Sequence, residues 1–154
     1  MMYPMLNNRR DEILVVARVL LMTLFVMSGF FKLTGFSDTA AYMASAGLPF
    51  PSLTAAAVTA LELGGGIALM LGVYTRTLAL LFALYALATA FIGHRYWAMT
   101  GSDHMTNLYG FYKNVSIVGA FLLLSATGGG RHSISREASL DTRQSHGAVG
   151  DRAL

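Results

Sequence analysis

The sequence predicts an all-α fold: a transmembrane four-helix bundle with a short interfacial helix in its first periplasmic loop. Three observations carry that expectation. Of 154 residues, 55% are hydrophobic and 12% charged, and mean hydropathy is +0.54, whereas a soluble domain carries roughly 25% charged residues. Four apolar runs, at residues 13–33, 53–73, 77–97 and 108–127, have the length of about 20 residues that crosses a bilayer core. None alternates polar with apolar positions, so helices are expected and not barrel strands.

The first run follows Arg9 and Arg10, as a signal peptide would, but it is too long and lacks a small-residue cleavage site. It therefore reads as a retained span, preceded by a cytoplasmic segment of residues 1–12. In the loop after it, Ser37 suggests an N-cap, Asp38 favours the first helical turn, and Gly47 followed by Leu48 and Pro49 stops a helix. A short helix over residues 38–46 follows from those signals, as a connector or as a lid. The four-helix domain is expected over residues 13–127. Residues 128–154 are rich in Gly, Ser and Arg without apolar periodicity, which predicts a flexible cytoplasmic tail.

Orientation follows from the arginines. Arg9, Arg10, Arg76, Arg131, Arg136, Arg143 and Arg152 fall on one side of the four spans, and the loops at 34–52 and 98–107 hold no Lys or Arg. The positive-inside rule puts both termini in the cytoplasm of what is taken as a bacterial inner membrane. Because these arginines lie mostly in the termini, the net charge of +3 marks tails and not a nucleic-acid-binding face. Cysteine is absent, which removes disulfides, thiol nucleophiles and Cys-ligated metal or iron–sulfur centres. No metal site and no catalytic residue is assigned.

Charges inside the spans are the candidates for function, because one at a helix centre costs about 2.5–3.5 kcal/mol on insertion scales. At about 100° per residue, Arg18, Met22, Phe25, Gly29 and Lys32 form one stripe, and Ala55, Thr59, Glu62, Gly66 and Leu69 another. His94 is in phase with Ala83, Leu87 and Ala90, and Lys113 shares a face with Tyr109, Ala120 and Leu124, with Asn114 beside it. Gly64, Gly65 and Gly66 adjoin Glu62, and such small residues let a neighbouring helix approach closely. Depth places Lys32, Glu62, His94 and Lys113 in the outer half and leaves Arg18 apart as a structural intramembrane charge. Glu62 would neutralise one cation, and the surplus positive charge would receive an anionic or strongly polar head group, with Lys32, Glu62, His94, Lys113 and Asn114 as the ligand-binding set. A buried structural ion pair is the alternative for Glu62 and Lys113; snorkelling to the interface is the alternative for Lys32 and Arg95.

RDEILVVARVLLMTLFVMSGFFKLTGF, YMASAGLPFP, ALELGGGIALMLGVYTR, ATAFIGHRYW and NLYGFYKNVSIVGAFLLLSATGGGR, in that order, resemble the DoxX family of small four-helix membrane proteins. Arg18, Gly29, Lys32, Gly47, Glu62, Gly65, Arg76, His94, Asn107, Lys113 and Asn114 fall on positions of the family pattern. Where the family often reads Ser-Leu-Asp after the last glycines, this chain has Ser133, Ile134 and Ser135, which puts any role of that Asp in doubt. The family is named for a membrane subunit associated with thiosulfate:quinone oxidoreduction. The resemblance therefore implies a membrane subunit or anchor of a redox or detoxification assembly, with a quinone as a borrowed, non-covalent cofactor. Lys32 and Lys113 would then stabilise quinone oxygens or a sulfur oxyanion, and His94 or Glu62 would exchange protons. Haem between paired histidines is not expected, since His94 is the only histidine in a span. A non-catalytic module that binds or transports a small molecule or lipid, and a purely structural bundle, are the other classes. Membrane lipids are the expected surroundings, and four short helices imply a homo-oligomer or a partner redox subunit.

Overall fold

The computed structural model describes residues 9–135, and it is an all-α membrane bundle. Among the described residues, four helices are long and apolar enough to span a bilayer: Arg10–Thr34, Pro51–Leu71, Thr75–Ala98 and Gly101–Thr127. We label the elements α1 (Arg10–Thr34), α2 (Phe36–Ser45), α3 (Pro51–Leu71), α4 (Thr75–Gly93) and α5 (Gly101–Thr127). A 3₁₀ turn, Tyr96–Ala98, joins α4 to α5. In α3, one π-helical turn, Leu61–Gly65, interrupts the α-helix.

Local chemistry sets most of the ends. α3 opens with Pro51 at its first turn, where the missing N–H is not needed, and closes on Gly72, whose φ of 79° lies in the left-handed region. α2 starts earlier than its polar residues suggest: Gly35, not Ser37, occupies the N-cap, and no side chain caps the helix. The last span also starts earlier than hydropathy predicts, at Gly101 and not 108. Thr100 is extended there, and the helix runs on through polar Ser102, Asp103 and His104 before it turns apolar.

α1 packs along α3, and α4 along α5. Three rings join the two pairs: Phe25 of α1, Phe82 of α4 and Phe121 of α5 have centroids 5.1, 5.5 and 5.4 Å apart, each pair worth about 0.5–1.5 kcal/mol beyond burial. The outward surface is apolar, with Leu20, Leu84 and Leu123 exposed, while Arg18 and Glu62 are buried. That inversion of a water-soluble core fits lipid as the surrounding solvent.

Both charge-bearing stripes turn inward. Arg18, Met22, Phe25 and Gly29 are buried on α1, and Ala55, Thr59, Glu62, Gly66 and Leu69 on α3. The glycines behave differently from the expectation that all three beside Glu62 admit a neighbour. A Cβ at Gly64 would meet nothing within 4 Å, whereas one at Gly66 would stand 2.9 Å from a Val26 methyl. The tightest approach belongs to Gly29 across the contact, where a Cβ would lie 2.6 Å from the backbone nitrogen of Leu63. Close packing of α1 on the π turn therefore needs glycine on α1.

The tail expected from residue 128 is described only to Ser135, and that part is bonded to the bundle. Ile134 N–H donates to Leu71 O and Ser135 N–H to Gly72 O, both at 3.4 Å, and Tyr74 N–H donates to Ser135 Oγ at 2.7 Å. Arg131 N–H reaches Asp11 Oδ1 at 3.0 Å. Residues 136–154, with Arg136, Arg143 and Arg152, and residues 1–8 lie outside the described residues.

Candidate functional site

Glu62 sits in the π turn of α3 with 4% of its surface exposed. Its two carboxylate oxygens have different donors. Lys32 Nζ of α1 donates to Oε2 at 2.7 Å, and the Tyr85 hydroxyl of α4 donates to Oε1. Lys32 also donates to Ser28 Oγ, one helical turn back on the same face. A π turn widens the helix and re-aims the side chains on it, and such turns recur at functional sites. Here it presents the carboxylate to α1 and α4 together.

Two further polar groups approach from α4 and α5. Asn114 Nδ2 donates to Thr89 Oγ1 at 3.3 Å. Asn107 donates through Nδ2 to Asp103 O at 2.9 Å, which turns its Oδ1 toward His94 Nδ1, 3.3 Å away. Nδ1 therefore carries the proton in the neutral ring, and Nε2 holds the lone pair. His94 does not continue the α4 stripe as its spacing suggests, because α4 ends at Gly93 and His94 is its C-cap with φ −125°. Leu87 of that stripe is 40% exposed. The imidazole lies instead against Gly110 of α5, where a Cβ would come within 2.5 Å of the ring. Tyr109, expected on the Lys113 face, is likewise exposed.

These groups share one cavity of about 430 Å³, inside the roughly 300–1,000 Å³ usual for small-molecule pockets. Lys32, Glu62, His94, Lys113 and Asn114 all line it, with Tyr42 and Met43 of α2 among the other wall residues. α2 thus contributes to the wall, and its Met43 is buried. Lys113 is exposed and has no hydrogen-bond or ion-pair partner among the described residues. The one cation paired with the carboxylate among the described residues is Lys32. Sequence reasoning missed Tyr85 and Thr89, two cavity residues one turn apart on α4. A tyrosine hydroxyl in the middle of an apolar run needs a partner for the same reason that Glu62 does, and that signal was present.

Arg18 lies apart from the cavity, as its depth suggests. It is 1% exposed; its Nη1 donates to Gly129 O at 2.9 Å and to Ser133 Oγ at 2.7 Å. Its Nε and the Thr75 hydroxyl have no partner among the described residues. No group of His, Cys, Asp and Glu among the described residues could hold a metal ion.

The family model described as DoxX matches residues 13–95. The chain is 47% identical over 127 residues to inner membrane protein YphA of Escherichia coli strain K12, covering 82% of this chain and 91% of that protein. It is 42% identical over 131 residues to inner membrane protein YqjF of the same organism, covering 85% and 95%. The chain belongs to the DoxX family. The DoxX match includes Lys32, Glu62, Tyr85 and His94 and ends at Arg95, so Lys113 and Asn114 of this DoxX chain lie beyond it. No solved structure matches it.

Proposed function

We propose that this DoxX protein lies in the inner membrane with both termini in the cytoplasm, and that its cavity holds the polar head of a small amphiphile. The head is an anion or a quinone, and the protein serves as the membrane-embedded binding or anchoring component of a larger assembly, as a homo-oligomer or with a partner subunit. One observation carries the reading: Lys32, Glu62, His94, Lys113 and Asn114 converge on a single cavity of about 430 Å³ in which one cation, Lys113, has no counter-ion among the described residues. A purely structural bundle has no need of that void or of that unpaired charge. The names of the two relatives support the inner-membrane address, and the arginine distribution supports the orientation.

A quinone-linked redox subunit is the second reading, favoured by the proton-bearing groups on the wall. Tyr85 bonded to Glu62, and His94 with an imidazole lone pair, are suited to exchange protons with a carbonyl oxygen held by Lys113. Electrons would come from a partner, since the chain has no cysteine to hold an iron–sulfur centre. Mass spectrometry of the protein extracted with its native lipids tests both readings. A small amphiphile retained by the wild type and lost from Thr89→Trp, which fills the cavity, is the expected result. Recovery of a quinone would favour the second reading, and an empty cavity in both proteins would refute the proposal.

A further inference from the structure

We infer that the occupant is a singly charged anion on one short apolar chain, of the medium-chain carboxylate class, with its head at Lys113. This rests on the cavity being a ligand site and narrows what fits it. Three features of the cavity decide the class.

Charge comes first. Lys32 and Lys113 bring two positive charges to the wall and Glu62 one negative charge, and Lys32 with Glu62 forms a closed pair at 2.7 Å. Both oxygens of that carboxylate are occupied, by Lys32 and by Tyr85, so the pair presents no free charge to a ligand. The two lysines and the one carboxylate leave one positive charge over, on Lys113. A carboxylate balances it, whereas a phosphate monoester carries about −1.5 to −2 at pH 7 and brings more negative charge than that one cation offsets. A cationic head would add a second unpaired positive charge. A neutral head would leave Lys113 as it stands.

Size comes second. A cavity of about 430 Å³ stands at the lower end of the range for small-molecule pockets, which suits a single-chain amphiphile better than a two-chain phospholipid. The third feature is the arrangement of the wall. Lys113 and Asn114 adjoin one another on α5, while Leu24, Val58 and Ile92, from α1, α3 and α4, supply apolar surface for a chain. A ligand with one polar end and one apolar end satisfies both parts.

The test uses the full-length protein in nanodiscs of zwitterionic lipid, titrated calorimetrically with dodecanoate, dodecan-1-ol, dodecyl phosphate and dodecyltrimethylammonium, with empty nanodiscs subtracted. The wild type should bind dodecanoate at least about tenfold more tightly than dodecan-1-ol, the size of one charge-assisted hydrogen bond, and more tightly than the phosphate or the cation. Lys113→Gln should remove most of that preference, and Lys113→Arg should keep it. Equal affinity for acid and alcohol, a preference for the phosphate, or an unchanged preference in Lys113→Gln would overturn the inference while leaving the cavity a ligand site. Absence of saturable binding by every dodecyl compound would overturn the ligand-site reading as well.

Discussion

Replacing Glu62 by Gln tests whether the carboxylate is charged and paired inside the bundle. The substitution keeps size and leaves an amide oxygen that can accept from Tyr85, so the change is mainly the loss of one negative charge beside Lys32. Breaking a buried pair from one side costs about 3–5 kcal/mol, because the remaining charge is left uncompensated. The Lys32 side chain is 24% exposed and keeps Ser28 as an acceptor, so about 3 kcal/mol, the low end, applies. Lys32→Met strands the opposite charge on a carboxylate side chain only 5% exposed and should cost more, about 4 kcal/mol. The double variant strands neither and should be more stable than either single variant. With the double variant costing less than about 3 kcal/mol, the cycle should give a coupling of about 4 kcal/mol or more, above the usual range for contacting pairs. Steric trapping in bicelles measures the unfolding free energies. A near-silent Glu62→Gln, with a coupling under about 0.5 kcal/mol, would mean that Glu62 is protonated and that no ion pair exists. The charge count of the cavity, and the monoanionic ligand inferred from it, would then fall together.

The remaining predictions concern packing and orientation. Gly29→Ala forces a methyl to 2.6 Å from the Leu63 nitrogen and should destabilise by about 1–3 kcal/mol. Gly64→Ala, with nothing within 4 Å, should be neutral or stabilising by up to about 1 kcal/mol; the same unfolding assay ranks them, and a reversed order would refute the account of the α1–α3 contact. The absence of cysteine makes single-cysteine labelling direct. In intact cells, Ser37→Cys and Ser102→Cys should react with a membrane-impermeant maleimide and Arg131→Cys should not, and the opposite pattern would reverse the assigned topology.

What the sequence made legible was whatever depends on regular helical geometry. The stripes through Arg18 and Glu62 point inward because 100° per residue holds along α1 and most of α3, and a charge in lipid leaves a chain few other options. The same arithmetic failed at His94, where the helix has already ended at Gly93, and at Leu87, which faces outward. Tyr85 escaped notice because hydropathy counts its ring and overlooks its hydroxyl. The void itself was not legible, since side-chain identity gives charge but not the space between helices. Nor was the docking of residues 130–135. Their Gly, Ser and Arg content reads as a flexible tail, while much of what holds them is backbone hydrogen bonding to Leu71 and Gly72, which leaves no mark in composition.

The two buried charges are balanced by different means, and the difference explains why the cavity lies beside only one of them. Arg18 has no carboxylate partner among the described residues. A Cβ on Gly72 or on Gly129 would collide with its guanidinium, so it sits against the C-terminal ends of α3 and α5, each carrying roughly half a negative charge of helix dipole. The Gly129 carbonyl and the Ser133 hydroxyl complete that setting. Part of that compensation is backbone, which cannot be withdrawn without unwinding helix ends or peeling the segment away, and the group is enclosed to 1% exposure. Glu62 is balanced by side chains, from Lys32 and Tyr85, and side chains can stand around a space. A carboxylate held in that way neutralises one lysine of the wall and leaves Lys113 as the charge a ligand would meet.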